Sequence, residues 1–207
     1  MPTTTPPRGL YLITPDIADD AQLLARTQPL LDSGAVTWLQ YRNKSADDAQ
    51  RRRQAQSLLP LCQAAGVPLI INDDLELAIA IGAAGLHRED NATSLAELHA
   101  ALGPQALGAS CYDQPGLAEA AVREGASYVS FGAFFASRSK PTMHRATPAV
   151  FAATASLGVP RVAIGGLTPD NAGPAIAAGA DLVAAIGGVF DAPDPVAAAR
   201  AIQALFA

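Results

Sequence analysis

The feature that most constrains this chain is a junction that recurs along its length: an Ala- and Leu-rich stretch of helical character, a glycine, one to three residues, then a short apolar run. It occurs at Gly34 before Val36-Thr37-Trp38-Leu39, at Gly66 before Leu69-Ile70-Ile71, at Gly82 before Gly85-Leu86-His87 and at Gly103 before Ala106-Leu107-Gly108. It returns at Gly125 before Tyr128-Val129-Ser130-Phe131, at Gly158 before Arg161-Val162-Ala163-Ile164 and at Gly179 before Leu182-Val183-Ala184-Ala185-Ile186. Glycine is the residue that ends a helix in the left-handed conformation, so each junction reads as a helix giving way to a strand. Seven junctions, added to an initial strand at Gly9-Leu10-Tyr11-Leu12-Ile13-Thr14, make eight strands. Strand and helix alternating eight times with no linker-like break predict an α/β fold, a single-domain (β/α)8 TIM barrel. A doubly wound open sheet would rarely need so many equal units. The barrel is expected to run from Gly9 to Ala207, and Met1 to Arg8 to be a disordered N-terminal tail.

Composition narrows the function. Half of the 207 residues are hydrophobic, enough for a large core. The net charge is −5, and the one basic block, Arg51-Arg52-Arg53, lies inside a polar helical pattern, so nucleic acid is not expected as a partner. Cys62 and Cys111 are too few for a disulfide framework or a zinc site, which suggests a reducing, cytoplasmic setting. No stretch has the length of a membrane span, and the N-terminal residues have no apolar signal core. The expected partners are small molecules. The oligomeric state is not fixed by the sequence, and a homo-oligomer is compatible with it.

In a barrel of this kind, functional groups sit just after each strand, at the C-terminal rim. The third apolar run, Leu69 to Ile71, stops abruptly in Asn72-Asp73-Asp74. These residues either offer hard oxygen ligands to a cation such as Mg2+ or cap a helix beginning near Leu75. Other rim candidates are Gln40, Arg42, Asn43 and Lys44 after the second strand, His87, Glu89 and Asp90 after the fourth, and Ser110, Cys111, Tyr112 and Asp113 after the fifth. The last two strands both end in Gly-Gly, as Ile164-Gly165-Gly166 and Ile186-Gly187-Gly188. Such pairs either make tight turns or let backbone N–H groups approach a phosphate, and their position favours the phosphate. Thr168-Pro169-Asp170-Asn171 is expected to be the N-cap, first-turn proline and early acidic residue of a helix aimed at the same place. The loop from Ala133 to about Thr147 carries Arg138, Lys140, His144 and Arg145, a basic concentration that suggests a second anionic group. Two anion sites and a carboxylate for Mg2+ point to displacement of a diphosphate. His87 is expected to line the barrel with its ring satisfied by a neighbour, His99 to face solvent, and Cys62 and Cys111 to be packing residues rather than nucleophiles.

Several stretches resemble one family over nearly the whole chain. They are Tyr11-Leu12-Ile13-Thr14, Gln40-Tyr41-Arg42-Asn43-Lys44, Ile71-Asn72-Asp73-Asp74, Gly108-Ala109-Ser110, Ser137-Arg138-Ser139-Lys140 and Ala163-Ile164-Gly165-Gly166-Leu167-Thr168-Pro169-Asp170-Asn171. In this order on a small barrel, they resemble the thiamine-phosphate synthase family. The resemblance implies coupling of 4-amino-2-methyl-5-hydroxymethylpyrimidine diphosphate to a thiazole phosphate, forming thiamine phosphate and diphosphate with Mg2+. It implies that Gln40, Tyr41, Arg42, Asn43, Lys44 and Asn72 hold the pyrimidine diphosphate, with Arg42 and Lys44 on its phosphates and Ser110 on its ring. It assigns Mg2+ to Asp73, the departing diphosphate to Lys140 with Arg138 beside it, and the thiazole phosphate to Ser137, Ser139, Gly166, Ile186 and Gly187. After the fourth strand the family has H-x-G-Q-x-D, whereas this chain has His87-Arg88-Glu89-Asp90-Asn91-Ala92. The second metal ligand falls on Ala92 without a gap and on Asp90 with a two-residue deletion; Asp90 is the candidate. A related thiazole tautomerase and a non-catalytic phosphate-metabolite binder are the alternatives. The Ser-x-Ser-Lys loop and the Asn72-Asp73 pair match the synthase pattern.

Overall fold

The computed structural model describes residues 7–89, 93–136 and 143–207. Strands β1 (Gly9–Ile13), β2 (Val36–Tyr41), β3 (Leu69–Asn72), β4 (Gly85–Arg88), β5 (Ala106–Ser110), β6 (Tyr128–Phe131), β7 (Arg161–Ile164) and β8 (Leu182–Ala185) form a closed barrel in chain order. Every neighbouring pair is parallel, including β8 with β1. Between and after the strands run α1 (Asp20–Asp32), α2 (Asp48–Ala65), α3 (Leu75–Ile81), α4 (Leu95–Leu102), α5 (Pro115–Arg123), α6 (Ala149–Ala153), α7 (Gly173–Ala177), α8 (Gly187–Phe190) and α9 (Pro195–Ala204). The single-domain (β/α)8 barrel read from the glycine junctions is the fold observed. All seven junction glycines have positive φ, from 65° at Gly82 to 109° at Gly179, the conformation that lets a helix end and the chain reverse toward the sheet.

Strand alternation divides the core in two. Tyr11, Ile13, Ile70, Tyr128, Val162, Leu182 and Ala184 point inward and fill the barrel, with Trp38 and Ile164 against them. The alternate residues, among them Leu10, Leu12, Leu39, Ile71, Val129 and Val183, pack outward against the helices. Because the period is two, a polar residue at an inward position near a strand's C-terminal end is delivered to the rim. Gln40, Asn72, His87 and Ser110 are such residues; they lie within their strands rather than in the loops beyond.

Of the expected tail, residues 1–6 lie outside the described residues, and the Arg8 guanidinium rests over the Phe206 ring, 5.7 Å from its centroid. Asp90 and the stretch Ser137, Arg138, Ser139 and Lys140 also lie outside the described residues. Among the described residues, no helix is long and apolar enough to cross a membrane.

Candidate active site at the barrel rim

A cavity of about 490 Å³ opens at the C-terminal end of the strands. Its polar wall comes from β2 to β5 and includes Gln40, Arg42, Asn72, His87, Glu89, Ser110 and Tyr112. Its opposite wall is the pair of glycine turns, Gly165-Gly166 and Gly187-Gly188, with Ile164, Ile186 and Thr168.

On the polar wall, the rim of β1 braces the rim of β2. Thr14 Oγ1 donates to the Arg42 carbonyl at 2.8 Å and accepts from the Arg42 N–H at 2.9 Å. Asp16 accepts from Arg42 Nη1 at 3.2 Å and from the Lys44 backbone N–H at 2.8 Å. Arg42 Nε lies 3.6 Å from Glu89 Oε2, and Lys44 Nζ lies 2.7 Å from Asp73 Oδ2 and 3.4 Å from the same Glu89 oxygen. Two cations and three carboxylates thus form one network. Burial alone would lower the Lys44 pKa, but the hydrogen bond to Asp73 and the charges of Asp73 and Glu89 outweigh it, and the net shift is upward. Lys44 is a fixed positive charge at neutral pH.

Only one of the two aspartates takes the capping role. Asp74 is the N-cap of α3, its Oδ1 accepting from the Leu77 N–H at 2.9 Å. Asp73 is not the cap. It sits at φ 58°, a left-handed conformation that Asp tolerates better than most residues. In that conformation its carboxylate accepts from Asn72 Nδ2 at 2.7 Å, from the Glu89 N–H at 2.6 Å and from Lys44. It therefore bridges the rims of β2, β3 and β4. Among the described residues, no group of three or more His, Cys, Asp and Glu side chains is placed to hold a metal ion by itself.

On the glycine wall the two turns touch. A Cβ on Gly188 would lie 2.0 Å from the Leu167 carbonyl oxygen, and one on Gly166, at φ 63°, would lie 2.6 Å from the Ala136 carbonyl oxygen. Side chains there would separate the β7 and β8 loops or displace the segment leading into residues 137–142. The expected helix start at Thr168 is not observed. Asn171 Oδ1 accepts from the Thr168 N–H at 2.8 Å and Asn171 Nδ2 donates to the Gly166 carbonyl at 3.0 Å. That side chain closes a turn, and α7 begins only at Gly173.

A family model described as thiamine monophosphate synthase matches residues 10–189 of this chain. The chain belongs to that family. It is 54% identical over 207 residues to the thiamine-phosphate synthase of Xanthomonas campestris pv. campestris (strain 8004), covering 100% of this chain and 99% of the relative. With the thiamine-phosphate synthase of Xylella fastidiosa (strain 9a5c) it shares 53% identity over 206 residues, 99% of this chain and 87% of the relative. Its fold is also that of a thiamine phosphate pyrophosphorylase from Pyrococcus furiosus, with a TM-score of 0.84, 24% identity, and coverage of 96% and 95% of the two chains.

The positions that match the thiamine monophosphate synthase motifs separate into two groups. Gln40, Arg42, Asn72, Ser110, Gly166, Ile186 and Gly187 line the cavity, with Lys44 and Asp73 bonded to its wall. Tyr41 and Asn43 do not face it. Tyr41 points outward from β2 and donates to Gln54 Oε1 of α2 at 2.8 Å, and Asn43 Nδ2 donates to the Ile17 carbonyl at 2.8 Å and to Gln54 Oε1 at 3.0 Å. Both side chains are buried between β2 and α2, so they hold the strand end rather than a ligand. His87 lines the barrel as expected, with Nδ1 3.0 Å from Tyr128 Oη and Nε2 3.1 Å from Ser110 Oγ. Cys62 and Cys111 are free, buried thiols pushed up to about 12 by burial. Sequence reasoning missed Asp16 and Tyr11. The rim after β1 holds Asp16, and the inward phase of β1 places Tyr11, which lines the cavity floor. Applying the rim rule and the period of two to the first strand would have found both.

Proposed function

We propose that this protein is a thiamine-phosphate synthase, joining 4-amino-2-methyl-5-hydroxymethylpyrimidine diphosphate to 4-methyl-5-(2-phosphoethyl)thiazole, or its carboxylated tautomer, to give thiamine phosphate and diphosphate. The observation that supports the reading is the pairing of two unlike walls across one cavity: Arg42, with Lys44 bonded to its wall, in the loop after β2, facing the glycine turns after β7 and β8. Two phosphorylated substrates need such a pair, and family membership supports the same assignment.

In this reading, Arg42 and Lys44 neutralise the diphosphate, with Asn72 beside them and Gln40 and Ser110 against the pyrimidine ring. Lys140, with Arg138, takes the departing diphosphate. Gly166, Ile186 and Gly187, together with Ser137 and Ser139, hold the thiazole phosphate, whose oxygens can accept from backbone N–H groups. The pyrimidine's amino group feeds electrons into the ring, so the exocyclic C–O bond breaks toward a cation and the thiazole nitrogen captures it. No protein nucleophile is needed. The chain contributes alignment of the two partners and fixed charge where the leaving group develops.

Mg2+ fits the donor set. Such ions are bound by one or two carboxylates plus substrate phosphates, and Asp73 and Glu89 already share one cation, the Lys44 ammonium. Asp73 would hold the ion, with Asp90 as its second carboxylate, and the ion would supply further neutralisation of the diphosphate oxygens. The test is to mix both substrates with the purified protein, with Mg2+ or with EDTA, and to assay thiamine phosphate. Product with Mg2+ and its loss with EDTA are expected. No product under either condition, with thiazole phosphate still bound, would replace this reading by the tautomerase or the binder.

A further inference from the structure

Beneath the cavity, five side chains from five strands form one continuous run of hydrogen bonds. Gln40 Nε2 of β2 donates to Tyr11 Oη of β1 at 2.9 Å, and Tyr11 Oη lies 2.9 Å from Tyr128 Oη of β6. Tyr128 Oη lies 3.0 Å from Nδ1 of His87 on β4, and His87 Nε2 lies 3.1 Å from Ser110 Oγ of β5. The run is packed as well as bonded. The Tyr11 and Tyr128 rings meet edge to face at 6.0 Å, and His87 stacks on Tyr128 at 5.5 Å. Room for the crossing is made by Gly108, where a Cβ would lie 2.0 Å from Tyr128 Cζ and 2.5 Å from His87 Nδ1. Tyr11, Tyr128, His87 and Gln40 are all buried. Burial also raises both phenols well above their usual range, so they keep their hydrogens.

A hydrogen count gives this run a direction. With His87 neutral, the two phenols, the imidazole and the serine carry four hydrogens, while only three links join them. One O–H is left over, at an end of the run whenever the groups all donate in one sense; the remaining arrangement, with Tyr11 and His87 both donating to Tyr128, strands the buried Tyr128 hydroxyl hydrogen and is disfavoured. If each group donates away from Gln40, Tyr128 donates to His87 Nδ1, His87 carries its hydrogen on Nε2, and Ser110 keeps its hydroxyl hydrogen for the cavity. If each donates the other way, His87 carries its hydrogen on Nδ1 and Tyr11 must accept from both Gln40 and Tyr128. The amide nitrogen of Gln40 can only donate, so the first arrangement is a run of uniform direction and the second reverses at Tyr11. Hydrogen bonds in a uniform run polarise one another favourably.

We propose that Tyr11, Tyr128 and His87 are positioning residues whose hydrogen-bond run fixes His87 in its Nε2–H tautomer and thereby holds Ser110 as a hydrogen-bond donor to a ring nitrogen of the bound aminopyrimidine. The Gln40 carboxamide oxygen, without a partner among the described residues, is the complementary acceptor for the amino group. This deepens the synthase reading, on which the identity of the heterocycle rests.

The test has one arm that needs no turnover. The chain has three histidines, so nitrogen-15 NMR of histidine-labelled protein can resolve the His87 tautomer, with His99→Gln and His144→Gln spectra to assign it. The expected result is Nε2–H in the wild type and loss of that preference in Tyr128→Phe, which keeps the ring and removes the link. In the kinetic arm, Tyr128→Phe is expected to raise KM for the pyrimidine diphosphate roughly tenfold, the scale of one lost hydrogen bond, and to leave KM for the thiazole phosphate unchanged. A predominant Nδ1–H tautomer or an equal mixture in the wild type would overturn the proposal, as would Tyr128→Phe with an unchanged tautomer and unchanged KM. If Tyr128→Phe does not fold, Tyr11→Phe interrupts the run one link earlier and carries the same expectations. A wild type that shows the Nε2–H tautomer but makes no thiamine phosphate would refute the synthase reading and leave the tautomer relay standing.

Discussion

Cys111 shows how burial decides the chemistry of one side chain. It follows Ser110 directly, at the edge of the cavity wall, where a reactive thiol would be taken for a nucleophile. Its side chain is instead buried, its Sγ lies 3.7 Å from the Ala109 carbonyl, and burial pushes the thiol up to about 12. Cys62, inside α2, is shifted in the same way. At pH 8 both are neutral thiols shielded from solvent, and the thiolate is the reactive form. A thiol reagent at that pH is therefore expected to leave the folded protein unmodified and to titrate both cysteines once it is unfolded in guanidinium. Prompt labelling of Cys111 in the native protein would contradict this. That both are packing residues was legible from the sequence, because Cys62 falls in the middle of a helical stretch and no histidine neighbours Cys111 in the chain. The direction of Tyr41 and Asn43 was not. Whether a residue within their motif faces the cavity depends on where the strand ends, and β2 continues through Tyr41, two residues past the apolar run that marks it.

At the scale of the element, adjacent aspartates on one strand end have separate duties, and they should separate in experiment. Asp74 caps α3, so Asp74→Ala is expected to lower stability by about 1 kcal/mol and the melting temperature by roughly 2 to 4 °C while synthesis persists. An unchanged melting temperature would mean that the cap contributes nothing. The glycine turns make a second test. Gly188→Ala forces a methyl group toward the Leu167 carbonyl, a backbone atom that cannot swing aside. The overpacking should cost about 1 to 3 kcal/mol and raise KM for the thiazole phosphate more than KM for the pyrimidine diphosphate. Equal effects on both substrates, or none, would argue against a dedicated phosphate cradle. The strands were legible from local chemistry, since a glycine of positive φ stands before each of β2 to β8 whatever surrounds it. The start of α7 was not, because the Asn171 side chain satisfies backbone groups that a helix beginning at Thr168 would have needed, and such competition by Asn is invisible in a proline-based capping pattern.

For the whole molecule, closing eight parallel strands into a barrel brings residues far apart in sequence to one rim. Arg42, Glu89, Ser110, Gly166 and Gly187 share a cavity although they span most of the chain. The sequence announced this rim as a list of polar strand ends; closure alone turns the list into two facing walls. The hydrogen-bond run from Gln40 to Ser110 depends on that closure too, since it crosses the interior between strands that are not neighbours in the sheet. In the proposed synthase the wall formed at the ends of β2 and β3 acts on the diphosphate, while the glycine wall independently holds the thiazole phosphate. Phosphorus-31 NMR of the Asp73→Ala variant with both substrates and Mg2+ reads the two walls at once. Diphosphate release is expected to fall roughly a hundredfold or more, the scale seen when one charge-stabilising group is lost, while the thiazole phosphate resonance still broadens on binding as in the wild type. Free diphosphate accumulating at the wild-type rate would contradict it.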